Sequence, residues 1–229
     1  MKERPILFNG SMVRALLDGS KTQTRRVVKP QPADIIAQPG EGKAPAWAIV
    51  NRPPSTGVCV NVHGNEDWLR SPYGQPGDRL WVRETWQGPL FGNDDMQAYQ
   101  DDPESFNQPR YCQYAADGGP APEFMTMDDE LVCRWRPSIH VPRWASRILL
   151  EIVSVRVERL QDISEADARA EGITDGGCVN CGEPEPCGCP NASPDARDAY
   201  VRLWESINGA GSWDTNPWVW VVEFKRVAP

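Results

Sequence analysis

Histidine is nearly missing from this chain. His63 and His140 are the only two, they stand far apart, and their spacing matches neither a metal site nor a nucleophilic triad. Long apolar runs are missing as well: no stretch of about 18 apolar residues occurs, which excludes a membrane-spanning helix on sequence grounds. The opening MKERPILF has none of the apolar run that a signal peptide carries, so a soluble, cytoplasmic protein with no membrane partner is expected. Positive charge is in deficit. A formal charge of -8 argues against coating a nucleic-acid backbone, and no long duplex DNA is expected as a partner. Internal repeats and low-complexity tails are also lacking. What the chain has in abundance is tryptophan and proline, ten and twenty-two residues, within 229 residues that can bury a sizeable core as one domain, residues 1–229, with embellishments.

The chain is organised around NGSMVRALLDGSKTQTRR, from Asn9 to Arg26. Met12, Val13, Leu16 and Leu17 make one apolar stripe of a short helix. Asn9 or Ser11 can cap its start, and Gly19 suits the left-handed residue past its end. Lys21, Thr22, Thr24, Arg25 and Arg26 follow directly. Lys21 and Thr24 lie three apart, so a regular strand would turn them to opposite faces unless the Gly19-Ser20 corner leaves a turn or bulge. A helix cap followed by a basic, solvated strand accounts for the same string.

Charge is unevenly spread. Seven basic residues face two acids up to Pro30, and six arginines face two glutamates from Arg134 to Arg159, whereas Glu84 to Glu130 holds eleven acids and one arginine. If the two basic stretches converge, they form a local anion-attracting face suited to a nucleoside or single-stranded RNA. Scattered solvated charge is the other reading. Long stretches of low periodicity at 31–76, 87–133 and 174–193 read as insertions. In the first, Trp47 and Ile49, and Val58, Val60 and Val62, suggest small strands. In the second, RYCQYAAD suggests another. RWRPSIHVPRWASR, from Arg134 to Arg147, interleaves tryptophan and arginine planes that can stack on bases or clamp a loop.

Between the insertions, a first strand is expected at Lys2 to Phe8 and a second at Thr22 to Val28. After a Gly77-Asp78 turn, GDRLWVRETW predicts a central strand with Leu80 and Val82 on one face. Arg83 and Glu84 emerge at its end, as substrate-binding residues or as a structural ion pair. ILLEIVSVRVE, Ile148 to Glu158, reads as the strongest strand, with Leu149, Val153, Val155 and Val157 inward. Ser164 and Asp167 form a capping box for a helix over Glu165 to Ala170. Glu171 then falls in its last turn, where a carboxylate opposes the helix dipole: an arrangement compatible with acid/base work or with a frayed, exposed glutamate. Ser193-Pro194 predicts the start of a last helix with Tyr200, Leu203, Trp204 and Ile207 buried. WVWVVEFKRV predicts a closing strand covered on both faces.

Four of the seven cysteines are packed into CVNCGEPEPCGC. Cys178, Cys181, Cys187 and Cys189, spaced C-x2-C-x5-C-x-C, can gather four thiolates around one tetrahedral zinc. Disulfides, or free or redox-active thiols, are the alternatives. Such a zinc would be structural, since four cysteines leave no open position, and would brace the loop after Glu171; no catalytic cofactor is expected. Cys59, Cys112 and Cys133 read as isolated small hydrophobes.

Three blocks in order carry a family resemblance. GSKTQTRR after an amphipathic helix resembles the G-x-K-x-x-T-x-R signature of the ASCH family, LQDISEADARAEGI resembles its glutamate-bearing helix, and PWVWVVEFKRV resembles its closing strand. The resemblance implies an α+β fold: a PUA-like mixed β-barrel with flanking helices, here carrying long insertions and the cysteine knuckle. It also implies an amidohydrolase that removes the acyl group from N4-acylated cytidine nucleosides, with Lys21, Thr24 and Glu171 as catalytic trio. Arg25, Arg26, Arg83 and Glu84 are the candidate substrate-binding residues. Barrels of this kind also bind or cut RNA, and long decorated chains of this layout resemble phage and prophage proteins, so an RNA-binding or RNA-cleaving protein and a non-catalytic interaction protein are the alternatives.

Overall fold

The computed structural model describes residues 1–32, 34–38, 46–50, 68–126, 130–178, 180–181, 183–190 and 195–228. In chain order these form β1 (Glu3–Leu7), α1 (Gly10–Asp18), β2 (Gln23–Val27), β3 (Asp34–Gln38), β4 (Ala46–Val50), β5 (Trp68–Leu69), β6 (Arg79–Arg83) and β7 (Trp86–Gln87). Then come α2 (Met96–Asp101), β8 (Gln113–Tyr114), β9 (Glu123–Met125), β10 (Leu131–Cys133), β11 (Leu149–Arg159), α3 (Glu165–Ala170), α4 (Ala196–Asn208) and β12 (Trp218–Val227). The architecture is mixed α+β. Its main sheet has five strands in the order β1-β6-β11-β12-β2.

A closed barrel was the expectation, and the described residues correct it: the sheet is open, with β1 and β2 at its edges. Closure requires the edge strands to pair with a common stagger. Here both edges are only five residues long, against eleven and ten for β11 and β12. Pro5 lies within β1, and a residue without an amide proton belongs at a sheet edge.

The chain divides into two compact units: residues 1–19, 79–151 and 226–229, and residues 20–78 and 152–225. In the first, β1 runs parallel to β6, from Glu3 opposite Arg79 to Leu7 opposite Arg83. The start of β11 pairs antiparallel to β6, with Leu149 opposite Trp81. Leu80 and Val82 are buried while Trp81 and Arg83 are half-buried, the alternation the sequence predicts. Asn9 caps α1 by accepting from the Met12 amide at 2.9 Å, and Gly19 closes it at φ 85°. Trp86, Tyr114, Val141 and Ala145 form a core cluster, and the Tyr114 hydroxyl donates to the Ala145 carbonyl at 2.7 Å. Full burial of a side chain the size of Val141 is worth about 1.5–3 kcal/mol. RYCQYAAD supplies only the two-residue β8, and Cys133, read as an isolated small hydrophobe, is exposed.

In the second unit β12 pairs antiparallel to β2, from Val219 opposite Val27 to Glu223 opposite Gln23. Val219 and Val221 pack on one face against Leu160, Ile163, Ala168, Ala196, Tyr200 and Trp204, which joins α3 and α4 to the sheet. Trp220, Val222 and Phe224 are buried too, so the closing strand is covered on both faces as expected. The inward set of β11 is not as expected: Val153 is 51% exposed, and burial steps from Ile152 to Val155, breaking the alternation. Ile207 is exposed, and α4 is capped by Asp195, whose side chain accepts from the Arg197 and Asp198 amides. The expected cap Ser193-Pro194, the strand residues Val58, Val60 and Val62, and Cys59 and His63 lie outside the described residues. Trp47 and Ile49 do sit in a strand, β4, centre of the antiparallel sheet β3-β4-β5. Among the described residues no helix is long and apolar enough to cross a membrane.

Candidate active site

Two local signals bring Lys21 and Glu171 together in the second unit. Gly19 ends α1 and releases the chain toward β2, while Gly172, at φ 96°, ends α3 just past Glu171. Both capping-box bonds between Ser164 and Asp167 form at the start of α3, as the sequence predicts. The chain at Lys21 then forms an isolated antiparallel bridge with Glu171, and the Thr22 amide donates to the Ala170 carbonyl at 2.8 Å.

Lys21 is buried, and its Nζ donates to the Gln23 carbonyl at 2.8 Å, the Glu171 carbonyl at 2.9 Å and Glu171 Oε2 at 2.7 Å. Burial pushes the pKa of this amine down. The Glu171 carboxylate opposes that shift, and the nearby charges of Arg26 and Arg25 add to it. The other Glu171 oxygen, Oε1, faces Arg25 Nη1 at 3.4 Å. Arg25 Nη2 reaches Glu158 at 2.5 Å and Asp167 at 3.3 Å. Arg156 continues the network to Glu158 and Asp167, each at 3.0 Å, and to Glu223. One carboxylate therefore touches an amine of lowered pKa and a guanidinium, in a place where the side chains of Lys21 and Arg25 are 0% exposed.

Thr24 is buried on β2 between Gln23 and Arg25 and opposite Val222. Strand alternation turns it to the face away from those two neighbours. Arg26 is half-buried, and its charge reaches Lys21 and Tyr73. Arg83 and Glu84 belong to the first unit and make contacts there: Arg83 donates to the Ile139 carbonyl and lies over the Trp81 ring, and Glu84 receives a two-pronged pair from Arg147 at 3.0 and 3.1 Å. One arginine from each basic stretch, Arg25 and Arg156, meets the same two acids, so both charges are engaged by carboxylates.

Glu158 and Gln23 join this network without having been singled out in the sequence, where Arg156 figured only as one of a basic stretch. The signal was present: Arg156 and Glu158 are charges two apart in the longest strand, hence on one face. Among the described residues Gln23 Nε2 and Arg25 Nε are buried donors without an acceptor, an arrangement that costs about 1–3 kcal/mol for each group. Tyr200 is buried nearby, its phenol pushed well up by burial and then by the Glu171 charge.

Downstream of Glu171, the Sγ atoms of Cys178, Cys181, Cys187 and Cys189 all lie within 4.8 Å of one another. Cys178 and Cys187 approach Cys189 at 3.4 and 3.2 Å. A tetrahedral ion with bonds of about 2.3 Å needs sulfurs about 3.8 Å apart, a value these separations bracket. The four cysteines could hold a metal ion.

No family model, curated protein or solved structure matches the chain.

Proposed function

We propose that this protein hydrolyses the acyl amide of N4-acylated cytidine nucleosides, on a PUA-like variant of the open sheet, with Lys21 and Glu171 as the reacting groups; Thr24, turned to the other face of β2, takes no part. The observation that carries this reading is the buried 2.7 Å contact between Lys21 and Glu171, 150 residues apart in sequence, with the amine's pKa pushed down. The amine can hand a proton across that contact to Glu171 and then accept one from water. Attack on the acyl carbon breaks its bond to N4, and protonated Glu171 returns its proton to the leaving exocyclic nitrogen. The counts balance: one water is consumed, cytidine and the carboxylic acid leave, the acid gives its proton to solvent, and Lys21 and Glu171 return to their starting charges. The acceptor-free donors Gln23 Nε2 and Arg25 Nε would suit the oxygen of the acyl group as it gains charge.

The test is incubation of the purified full chain with N4-acetylcytidine while following cytidine release. Wild type should turn over, and Lys21→Ala or Glu171→Gln should lower kcat by about 10² or more. Activity of Lys21→Ala within a few-fold of wild type would falsify the assignment.

A second reading has its own observation. All three Lys21 protons are already bonded to acceptors, which favours a locking role in a non-catalytic protein that binds RNA or a partner. That reading predicts no turnover with any N4-acylcytidine, together with loss of stability in the same variants. For the knuckle, zinc in a structural role is the proposed ion, because four thiolates fill its shell and leave no place for substrate.

A further inference from the structure

We infer that a metal ion at the four cysteines sets the position of Glu171, with Arg169 and Glu185 as the positioning residues between them; this rests on the zinc reading of the knuckle. The segment CVNCGEPEPCGC has a single aliphatic residue, Val179, too little apolar surface to offset the entropy of ordering twelve residues. An ion held by four thiolates supplies that energy.

The ordered loop is tied back to α3. Asp175 Oδ1 accepts from the Gly177 and Glu185 amides at 2.9 and 3.0 Å, and the Cys178 amide donates to the Glu183 carbonyl at 2.9 Å. Glu185 Oε1 accepts from the Gly176 amide at 3.2 Å and from Arg169 Nη2 at 2.7 Å. Arg169 lies in the last turn of α3 and also donates to the Thr174 carbonyl at 3.3 Å, so it straddles the Glu171 corner. The far side of the loop neck is pinned as well. A Cβ on Gly176 would lie 2.6 Å from the Ala196 amide nitrogen, and the Asp195 amide donates to the Gly177 carbonyl. Ordering the cysteines therefore orders Glu185, Glu185 holds Arg169, and Arg169 fixes the end of the helix that presents Glu171.

The experiment uses the full chain, metal analysis by mass spectrometry, cobalt substitution and amide exchange by NMR. One zinc per chain is expected, lost in a Cys181→Ser/Cys187→Ser variant, and cobalt should give the absorption of a tetrahedral thiolate site. Chelation should speed exchange of the Thr22 and Glu171 amides by at least about tenfold, leaving the Val82 amide of the first unit unchanged. Glu185→Ala should keep its zinc and speed the same two amides by about three- to fivefold, the worth of an ion pair of this exposure. Glu185→Gln, which retains an acceptor oxygen, should recover much of that loss. A chain that binds neither zinc nor cobalt overturns the zinc reading itself. Zinc that binds but whose removal leaves Thr22 and Glu171 unchanged, or loosens Val82 equally, overturns the coupling and leaves the zinc reading standing.

Discussion

Each unit holds a knot of charge, and the two are built from different chemistry. In the first, Arg147 forks onto Glu84 and again onto Asp117 at 2.7 and 2.8 Å, and stacks over the Tyr114 ring at 4.0 Å. Burial alone would lower the Arg147 pKa, but its bonds to Glu84 and Asp117 outweigh that and raise it; the guanidinium is a fixed cation. Burial pushes the Glu84 carboxyl up, and Arg147 pulls it part of the way back. In the second, the central cation is a lysine. Its ammonium is held by two carbonyls and one carboxylate, and burial moves its pKa down. A fork with a permanent charge fixes a shape, whereas a buried amine of lowered pKa beside a carboxylate can exchange a proton. The two clusters differ in whether the cation can titrate.

That contrast can be broken first by removing each acid. Glu171→Ala leaves Lys21 charged at 0% side-chain exposure and should cost about 3–5 kcal/mol in urea unfolding. Glu84→Ala leaves Arg147 its Asp117 partner and some access to water, and should cost about 1–3 kcal/mol. A reversed order would show that the lysine cluster is the less committed of the two. Exchanging the cations sharpens the comparison further. Arg147→Lys loses a two-pronged pair and should cost about 1–2 kcal/mol. Lys21→Arg must fit a planar fork where three acceptors surround a point charge, at about 1–3 kcal/mol, and should abolish any turnover. Tolerance of both swaps would mean that either cluster needs only a positive charge.

The smallest effect is in pH. The Lys21 pKa is lower folded than unfolded, so the unfolded chain binds more protons between the two values and stability rises with pH there. The window runs from the lowered folded value up to about 10.4, the ordinary lysine value. Wild type should therefore gain stability relative to Lys21→Met as pH climbs through that window, measured by urea midpoints at several pH values. Arg147→Met should show no such trend against wild type, because Arg147 stays charged throughout.

Much of this was legible in local pattern. The Asn9 and Gly19 ends of α1, the capping box of α3, the Gly77 turn and the two-faced burial of β12 all follow from residues within a few positions of each other. Local rules act over one helical turn or one strand pair, so sequence carries them. Less could be read where the deciding partner is remote. The exposure of Val153 and Ile207 depends on what covers them, and the openness of the sheet depends on whether its two edges meet.

Sequence alone determined which residue types were available for chemistry: a lysine just past one helix end, a glutamate in the last turn of another helix, and four thiols in one short loop. Only the tertiary structure decided that Lys21 spends its three protons on Gln23 and Glu171, and that Arg25 and Arg156 meet the same acids. The reason is physical. Propensity and capping are fixed by neighbours along the chain, whereas desolvation and charge pairing are set by whatever the fold brings within about 4 Å.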